Sequence, residues 1–336
     1  MTTHMMKKFF ALIAIVAMGP TVRAQIHTSS GMLILGSGYE MRAVAPYKSN
    51  ATALSRYAET AKAYAKAFGD SVAVYCMPIP TSGEYYGEDP DNLPYCGRTA
   101  MEHCFQLLGS DAVAVNVWQT LRDHVAEPIY SRTDHHWQPL GAYYAAEKFA
   151  EVAGVPFRSL ADYDTCYVHR FVGTMPRYAK YPALRNYPED LVYYKPRGVD
   201  YSVTFIEYQY NKQNVVTGEA PEAPGEIFRH YDDGKSGAYC TFLGGDPKVT
   251  NIKTSTHNGR RLLILKDSFG NALPAFLLFS FEQICVVDCR YFTKNIIDYA
   301  RGEGITDILF ANNLGHAGMP RTNDMYLNYL TQKKKQ

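Results

Sequence analysis

The chain has 336 residues, with 34 Lys and Arg against 33 Asp and Glu and a hydrophobic fraction of 46%. A charged fraction of 20% beside 13% aromatics can build a large core, which excludes a disordered chain, and a net charge of +1 gives no basic field to attract nucleic acid. Tyrosine is the outlier, at 27 against 16 Phe and 2 Trp, and is consistent either with half-buried rings or with a wet, sugar-facing surface.

In chain order, Lys7 and Lys8 precede an apolar run over 9–18, and Val22-Arg23-Ala24 offers small residues for cleavage. Residues 1–24 therefore read as a secretory signal peptide, with 25–336 as the mature chain. The run is too short for a bilayer core of about 30 Å, and no later segment is long enough for a transmembrane anchor. No cysteine near the cleavage point makes a lipobox, so the expected location is periplasmic or secreted. The count of 7 Cys is odd, so at least one thiol stays free in an exported chain. Cys96 and Cys104 are the best candidate pair, and Cys76 and Cys285 lie in apolar runs that read as buried strands. No Cys-x-x-Cys pair supports a zinc ribbon.

A strand at 32–35 ends in Gly36-Ser37-Gly38. A helix follows, with Leu54, Ala58, Ala61, Ala65 and Phe68 at helical spacing and Gly69 closing it. Next come a strand at 72–77, a helix at 98–108, a strand at 112–118 and a helix from Pro139 to Gly154. Across 158–260 the helical period vanishes and short alternating runs such as 192–195 and 201–210 appear, which predicts a β-rich insertion into a single domain. The alternating pattern resumes with strand 262–265, helix 271–279, strand 284–287, helix 295–301 and strand 307–310. The expected class is α/β, with a mostly parallel sheet covered on both faces.

Two segments carry chemistry. In Lys266-Asp267-Ser268-Phe269-Gly270-Asn271, the serine follows an apolar strand and precedes a predicted helix, whose free N–H groups suit an oxyanion. Taken alone, Ser268 reads more readily as a cap of that helix. In Asp134-His135-His136-Trp137, an extended backbone puts Asp134 and His136 on one side and turns His135 away. A carboxylate beside an imidazole fixes its tautomer and raises its basicity. The same residues read alternatively as a structural histidine pair whose carboxylate caps the helix near Pro139. A metal is unsupported, because adjacent histidines converge poorly and no further ligands lie at a recognisable spacing. Together the segments supply a nucleophile, a base and an orienter for serine acyl transfer. Asn312 and Asn313, at the exit of strand 307–310, suit an oxyanion amide or a turn.

Thr133-Asp134-His135-His136-Trp137, Leu140-Gly141-Ala142-Tyr143-Tyr144 and Leu263-Ile264-Leu265-Lys266-Asp267-Ser268-Phe269-Gly270-Asn271-Ala272 resemble the signature segments of the DHHW family of exported bacterial proteins. Met77 to Tyr85, Phe242-Leu243-Gly244-Gly245 and Val287 to Phe292 match further. That family is similar in turn to the SGNH-hydrolase-like alginate O-acetyltransferases. The resemblance implies a three-layer, permuted SGNH-like fold in which the Asp-x-His element precedes the serine. It implies Ser268 as nucleophile, His136 as base and Asp134 as its orienter, with Arg290 near the site. His135 departs from the small residue that the alginate enzymes carry at that place.

The expected function is serine-dependent acyl transfer, as an O-acetyltransferase or acetylesterase, with no metal and no cofactor. Phe269 N–H and Asn313 are the oxyanion candidates, and Arg290 and His135 the substrate-side ones. The partners are an acyl donor and a polysaccharide or glycan acceptor, and the sequence leaves the oligomeric state open. The competing reading is an inactive SGNH-like carbohydrate-binding protein, since a fold does not certify an activity.

Overall fold

The computed structural model describes residues 25–87, 97–213, 215–290 and 292–332. The segment 1–24 expected as a signal peptide lies outside them, as does Cys96. Eight strands form the main sheet: β1 (Ala73–Cys76), β2 (Val113–Ala114), β3 (Tyr201–Ile206), β4 (Ala223–Pro224), β5 (Val249–Thr254), β6 (Arg261–Lys266), β7 (Gln283–Asp288) and β8 (Asp307–Ala311). Their spatial order is β4-β3-β5-β7-β6-β8-β1-β2. Strands β7, β6, β8, β1 and β2 are mutually parallel, while β5, β3 and β4 add antiparallel at one edge. The result is a mixed α/β fold with a large, mostly parallel sheet.

The strands that read as continuous apolar runs are the ones flanked on both sides, and Leu262 to Leu265, Ile284 and Ile308 to Phe310 are all fully buried. Helices α1 (Ser55–Phe68), α2 (Gly97–Leu108), α3 (Pro139–Ala153), α4 (Ile296–Glu303) and α5 (Pro320–Thr331) cover them. Side-chain alternation separates the two covering layers. Leu309 pairs with Tyr75 and Phe310 with Cys76, so Tyr75 and Phe310 point to opposite faces. Tyr64 of α1 packs edge-on against Phe310, and Phe149 of α3 packs against Tyr75. Helix α1 contacts both α2 and α5 on the first face, while α3 meets the hairpin strand Glu189–Pro196 on the second. No helix among the described residues is long and apolar enough to cross a membrane.

Several expectations are corrected. The strand at 32–35 is Leu33–Leu35, and it pairs with Gln25–His27 and Arg42–Val44 in a separate antiparallel sheet. The strand expected at 112–118 shrinks to β2, because the Asn116 side chain accepts from Trp118 N and starts a short helix at Trp118. The helix expected at 271–279 is replaced by a tight turn, Ser268–Ala272, followed by a single helical turn at Pro274–Leu277. Cys104 is buried beside Cys76, and its expected partner Cys96 lies outside the described residues. Within 158–260, the antiparallel hairpin Tyr163–Phe171 with Glu189–Pro196 packs on α3 and β3, β4 and β5 extend the main sheet.

Candidate active site

Ser268 leaves β6 at its carboxyl end, where open parallel sheets bind ligands. The residue that caps the following turn is Asp267: its Oδ1 accepts from Phe269 N at 2.9 Å. Ser268 is thereby released from the capping role it could have taken. Its Oγ, partly exposed, lies 2.8 Å from Nε2 of His136. His136 Nδ1 lies 2.6 Å from Asp134 Oδ1, completing a Ser-His-Asp relay between residues far apart in the chain.

The Asp134–His136 contact arises differently from the extended geometry expected. Asp134 Oδ1 also accepts from the His136 backbone N at 3.1 Å, so the segment is a turn closed by its own carboxylate. The other oxygen, Oδ2, accepts from Thr174 N at 2.8 Å and from Thr174 Oγ1 at 2.9 Å. Burial alone would raise the Asp134 carboxyl, but the hydrogen bond and charge of His136, with His135 and the Thr174 N–H, hold it well below the usual carboxylate range. Asp134 does not cap α3, whose first residue is Pro139.

Glu189 holds this loop from behind. Its carboxylate accepts from Thr133 N at 2.7 Å, Thr133 Oγ1 at 2.6 Å, Ser131 Oγ at 2.5 Å and Arg132 N at 2.9 Å. Gly173 leaves room for Asp134, because a Cβ there would stand 2.2 Å from Oδ2. Gly173→Ala is therefore expected to push Asp134 off His136, cutting turnover at least tenfold and lowering the melting temperature. Steady-state kinetics beside a thermal melt would check this.

The His136 ring is held between two others. Tyr239 stacks on His136 at 3.8 Å with an interplanar angle of 7°, and His135 covers the other side at 3.7 Å. His135 therefore does not face elsewhere, as an extended segment would require. Trp137 anchors the Ser268 turn: its Nε1 donates to Phe269 O at 3.1 Å, and Tyr239 Oη donates to Ser268 O at 3.2 Å. The fourth motif residue thus ties the base loop to the serine turn. Tyr239, Thr174, Gly173 and Glu189 were not singled out from the sequence. The nearest signal was the matching stretch Phe242-Leu243-Gly244-Gly245, three residues beyond Tyr239.

The remaining expected residues are placed as follows. Asn313 N and Nδ2 both donate to Asp267 Oδ2, at 2.8 and 2.9 Å, and His316 Nδ1 joins them at 3.0 Å. The Asp267 hydrogen bond raises the His316 imidazole pKa against the opposing effect of burial. Phe269 N–H and one amide hydrogen of Asn313 are thus directed at Asp267. Asn312 is structural, since its Oδ1 accepts from the hydroxyls of Tyr57 and Tyr326 in the core. Arg290 forks onto Asp288, at 2.8 and 2.6 Å, and reaches Asp246 at 2.7 Å. It takes part in a charged cluster under the serine turn.

A serine, an imidazole and a carboxylate connected in this way at a sheet's carboxyl edge have the geometry that serine acyl transfer requires. A family model described as DHHW protein matches residues 20–287. The chain belongs to the DHHW family. A DHHW family protein from Eubacterium siraeum superposes with a TM-score of 0.81 at 35% identity, covering 93% of this chain and 100% of that one. Bacillus cereus PatB1, solved with a sulfonyl adduct, is similar in fold, with a TM-score of 0.64 at 18% identity, covering 88% of this chain and 96% of that one. The O-acetyltransferase domain of Pseudomonas putida AlgJ aligns at a TM-score of 0.46 and 12% identity, over 91% of this chain and 99% of that one. No curated protein matches the chain significantly. In this DHHW protein, Asp134, His135 and His136 form the one cluster among the described residues whose metal-ligating atoms converge, within 4.8 Å. Within it, Oδ1 of Asp134 and Nδ1 of His136 are hydrogen-bonded to each other.

Proposed function

We propose that this DHHW protein is an exported serine acyltransferase that moves an acyl group, acetyl being the expected one, onto a hydroxyl of an envelope or extracellular glycan. The observation that carries the reading is the Ser268–His136–Asp134 relay, with contacts of 2.8 and 2.6 Å around a base clamped by Tyr239. Ser268 Oγ attacks the donor's carbonyl carbon while His136 Nε2 takes its proton. Collapse of the tetrahedral intermediate breaks the bond to the donor's leaving group, which receives that proton from His136. The acceptor hydroxyl then attacks acyl-Ser268, again giving its proton to His136, and the proton returns to Ser268 Oγ as the ester bond breaks. The Ser268 N–H and the second amide hydrogen of Asn313 are the donors we assign to the oxyanion. The fold shared with PatB1 and the alternating α/β frame are consistent with this reading. So is the organisation we infer, with 1–24 as a signal peptide and 158–260 inserted into one domain over 25–336.

Asp134 needs no added positive charge to stay ionised, so the proposal requires neither metal nor cofactor. A fluorophosphonate probe tests it. Wild-type protein is expected to label and to release p-nitrophenol from p-nitrophenyl acetate. Ser268→Ala is expected to lose labelling and to lower turnover by at least 10³-fold. Absence of labelling in a folded wild-type protein that still binds glycan would replace the enzyme by a carbohydrate-binding module.

A further inference from the structure

His135 is left unused by this relay, yet its ring lies 3.7 Å from that of the base. Its tautomer follows from its neighbours. The Thr174 hydroxyl has one hydrogen, and Asp134 Oδ2, a carboxylate oxygen 2.9 Å away, can only accept it. Toward His135 Nδ1, at 2.7 Å, the same hydroxyl can therefore only accept. Nδ1 of His135 must carry the hydrogen, which leaves Nε2 with a bare lone pair. That nitrogen has no hydrogen-bond partner among the described residues, and it is not among their buried, unsatisfied atoms. The side chain is 34% exposed, so the lone pair is open to a ligand. Burial and the adjacent His136 push the imidazole pKa down to about 4, which keeps it neutral in the physiological range. Tyr178, 40% exposed, stands 5.5 Å from the His135 ring and offers an apolar face beside it.

Resting on the acyltransfer reading, we infer that His135 Nε2 accepts a hydrogen bond from a second hydroxyl of the acceptor, so that the site selects vicinal diols, such as sugar rings, over water and simple alcohols. The chemistry divides as the two rings do. The attacking hydroxyl surrenders its proton to His136 Nε2 as its oxygen bonds the acyl carbon, and the bond from that carbon to Ser268 Oγ breaks. The neighbouring hydroxyl keeps its proton and donates it to His135. Water has no second hydroxyl, and neither has 2-propanol. Tyr178 would lie against the carbon face of a sugar held in this way.

The experiment partitions the acyl-enzyme. Full-length protein is loaded with p-nitrophenyl acetate, and ester and acetate products are measured with methyl α-D-glucopyranoside, glycerol or 2-propanol as acceptor. His135→Phe, which keeps a ring against His136, is expected to lower the ester-to-acetate ratio about tenfold for the two polyols, the value of one neutral hydrogen bond, even where the p-nitrophenol burst slows, because both products come from the same acyl-enzyme. The ratio for 2-propanol should not move. His135→Gln, which retains an acceptor oxygen, should restore part of the polyol preference. An unchanged polyol ratio overturns the inference, and so does a lost burst, which would make His135 a support of Asp134 through Thr174.

A readout independent of turnover separates this inference from the enzyme reading. In Ser268→Ala protein, the ring nitrogen NMR signal of His135 Nε2 is expected at the unprotonated position and should shift on addition of methyl α-D-glucopyranoside. A protonated Nε2, or no shift at saturating glucoside, refutes the diol site even if the relay is active.

Discussion

Asp134→Asn is expected to lower kcat for acyl transfer by about 10⁴-fold while leaving the fold intact. Four donors converge on this carboxylate: His136 N and Nδ1 on Oδ1, and Thr174 N and Oγ1 on Oδ2. An amide has one acceptor oxygen and one NH2 group, so either placement faces a donor with a donor. If the NH2 group turns to His136, the imidazole must accept at Nδ1, and its hydrogen moves to Nε2. The proton of Ser268 then has nowhere to go. If the NH2 group turns to Thr174, it meets the backbone N–H, which cannot reverse its role. The relay is lost in the first case and the loop is distorted in the second. Thr174→Val is the graded comparison, because it removes one hydroxyl donor and keeps the backbone one, and a loss of roughly tenfold is expected. Single-turnover rates for the two variants, with circular dichroism to confirm folding, would check this order. Turnover within tenfold of wild type in Asp134→Asn would remove Asp134 from the relay.

The pH behaviour follows from the same contacts. Because the folded Asp134 pKa is depressed, its stabilising effect is complete above the ordinary carboxyl range, near pH 4, and is lost as pH falls through the depressed value. His135 behaves oppositely. Its pKa of about 4 lies below the ordinary imidazole value, so the folded state resists a proton that the unfolded chain binds. Its contribution is complete above the unfolded value and declines as pH falls from about 6.5 toward 4. His135→Phe is therefore expected to flatten the loss of stability over that interval, and pH-dependent thermal melts would register it.

The chemistry-bearing residues were legible because each motif concentrates them. A serine after an apolar strand and an Asp-x-His turn are local patterns, and parallel-sheet topology brings strand exits together. What surrounds them was not legible. Tyr239 and Thr174 come from segments without periodicity, and nothing nearby marks that one stacks on His136 and the other feeds Asp134. The helix expected at 271–279 failed because Asp267 reaches forward to Phe269 N and tightens the backbone, after which Pro274 begins a new turn. The run at 32–35 was read correctly as a strand, but its own sequence could not name a partner. It pairs with Arg42–Val44 by a short return of the chain, whereas main-sheet partners such as Ala73 and Asp307 lie far apart in the chain. In 158–260, alternation identified strands such as Tyr201–Ile206 and could not reveal that they extend the main sheet.

Lys266→Met is expected to destabilise the protein by about 3–5 kcal/mol, a large part of the stability of an ordinary domain. Lys266 ends β6 fully buried, two residues before Ser268, and its Nζ reaches Asp288 at 2.8 Å and Asp246 at 3.3 Å. With Arg290 on the same two carboxylates, the cluster holds two positive and two negative charges. Burial alone would lower the Lys266 pKa, but Asp288 and Asp246 raise it above the ordinary lysine value. Burial would raise both carboxyls, and Lys266 and Arg290 hold them low. Removing Lys266 leaves one buried negative charge without compensation. The stability due to Lys266 is complete below about pH 10 and is lost as pH rises through its raised folded value. That due to Asp246 and Asp288 is complete above about pH 4 and is lost as pH falls. In Lys266→Met the alkaline loss should disappear and the acid loss should begin at higher pH, because each carboxyl has lost a cation. Asn271 Nδ2 also donates to Asp246 Oδ1 at 2.9 Å, and a Cβ on Gly270 would stand 2.4 Å from Lys266 Cβ, so the cluster is the floor on which the Ser268 turn rests. Urea titrations of Lys266→Met and of Lys266→Met with Asp288→Asn separate charge from packing. If unpaired charge dominates, the double variant recovers at least about 1 kcal/mol relative to the single one; if it recovers nothing, the lysine acts through its packed stem.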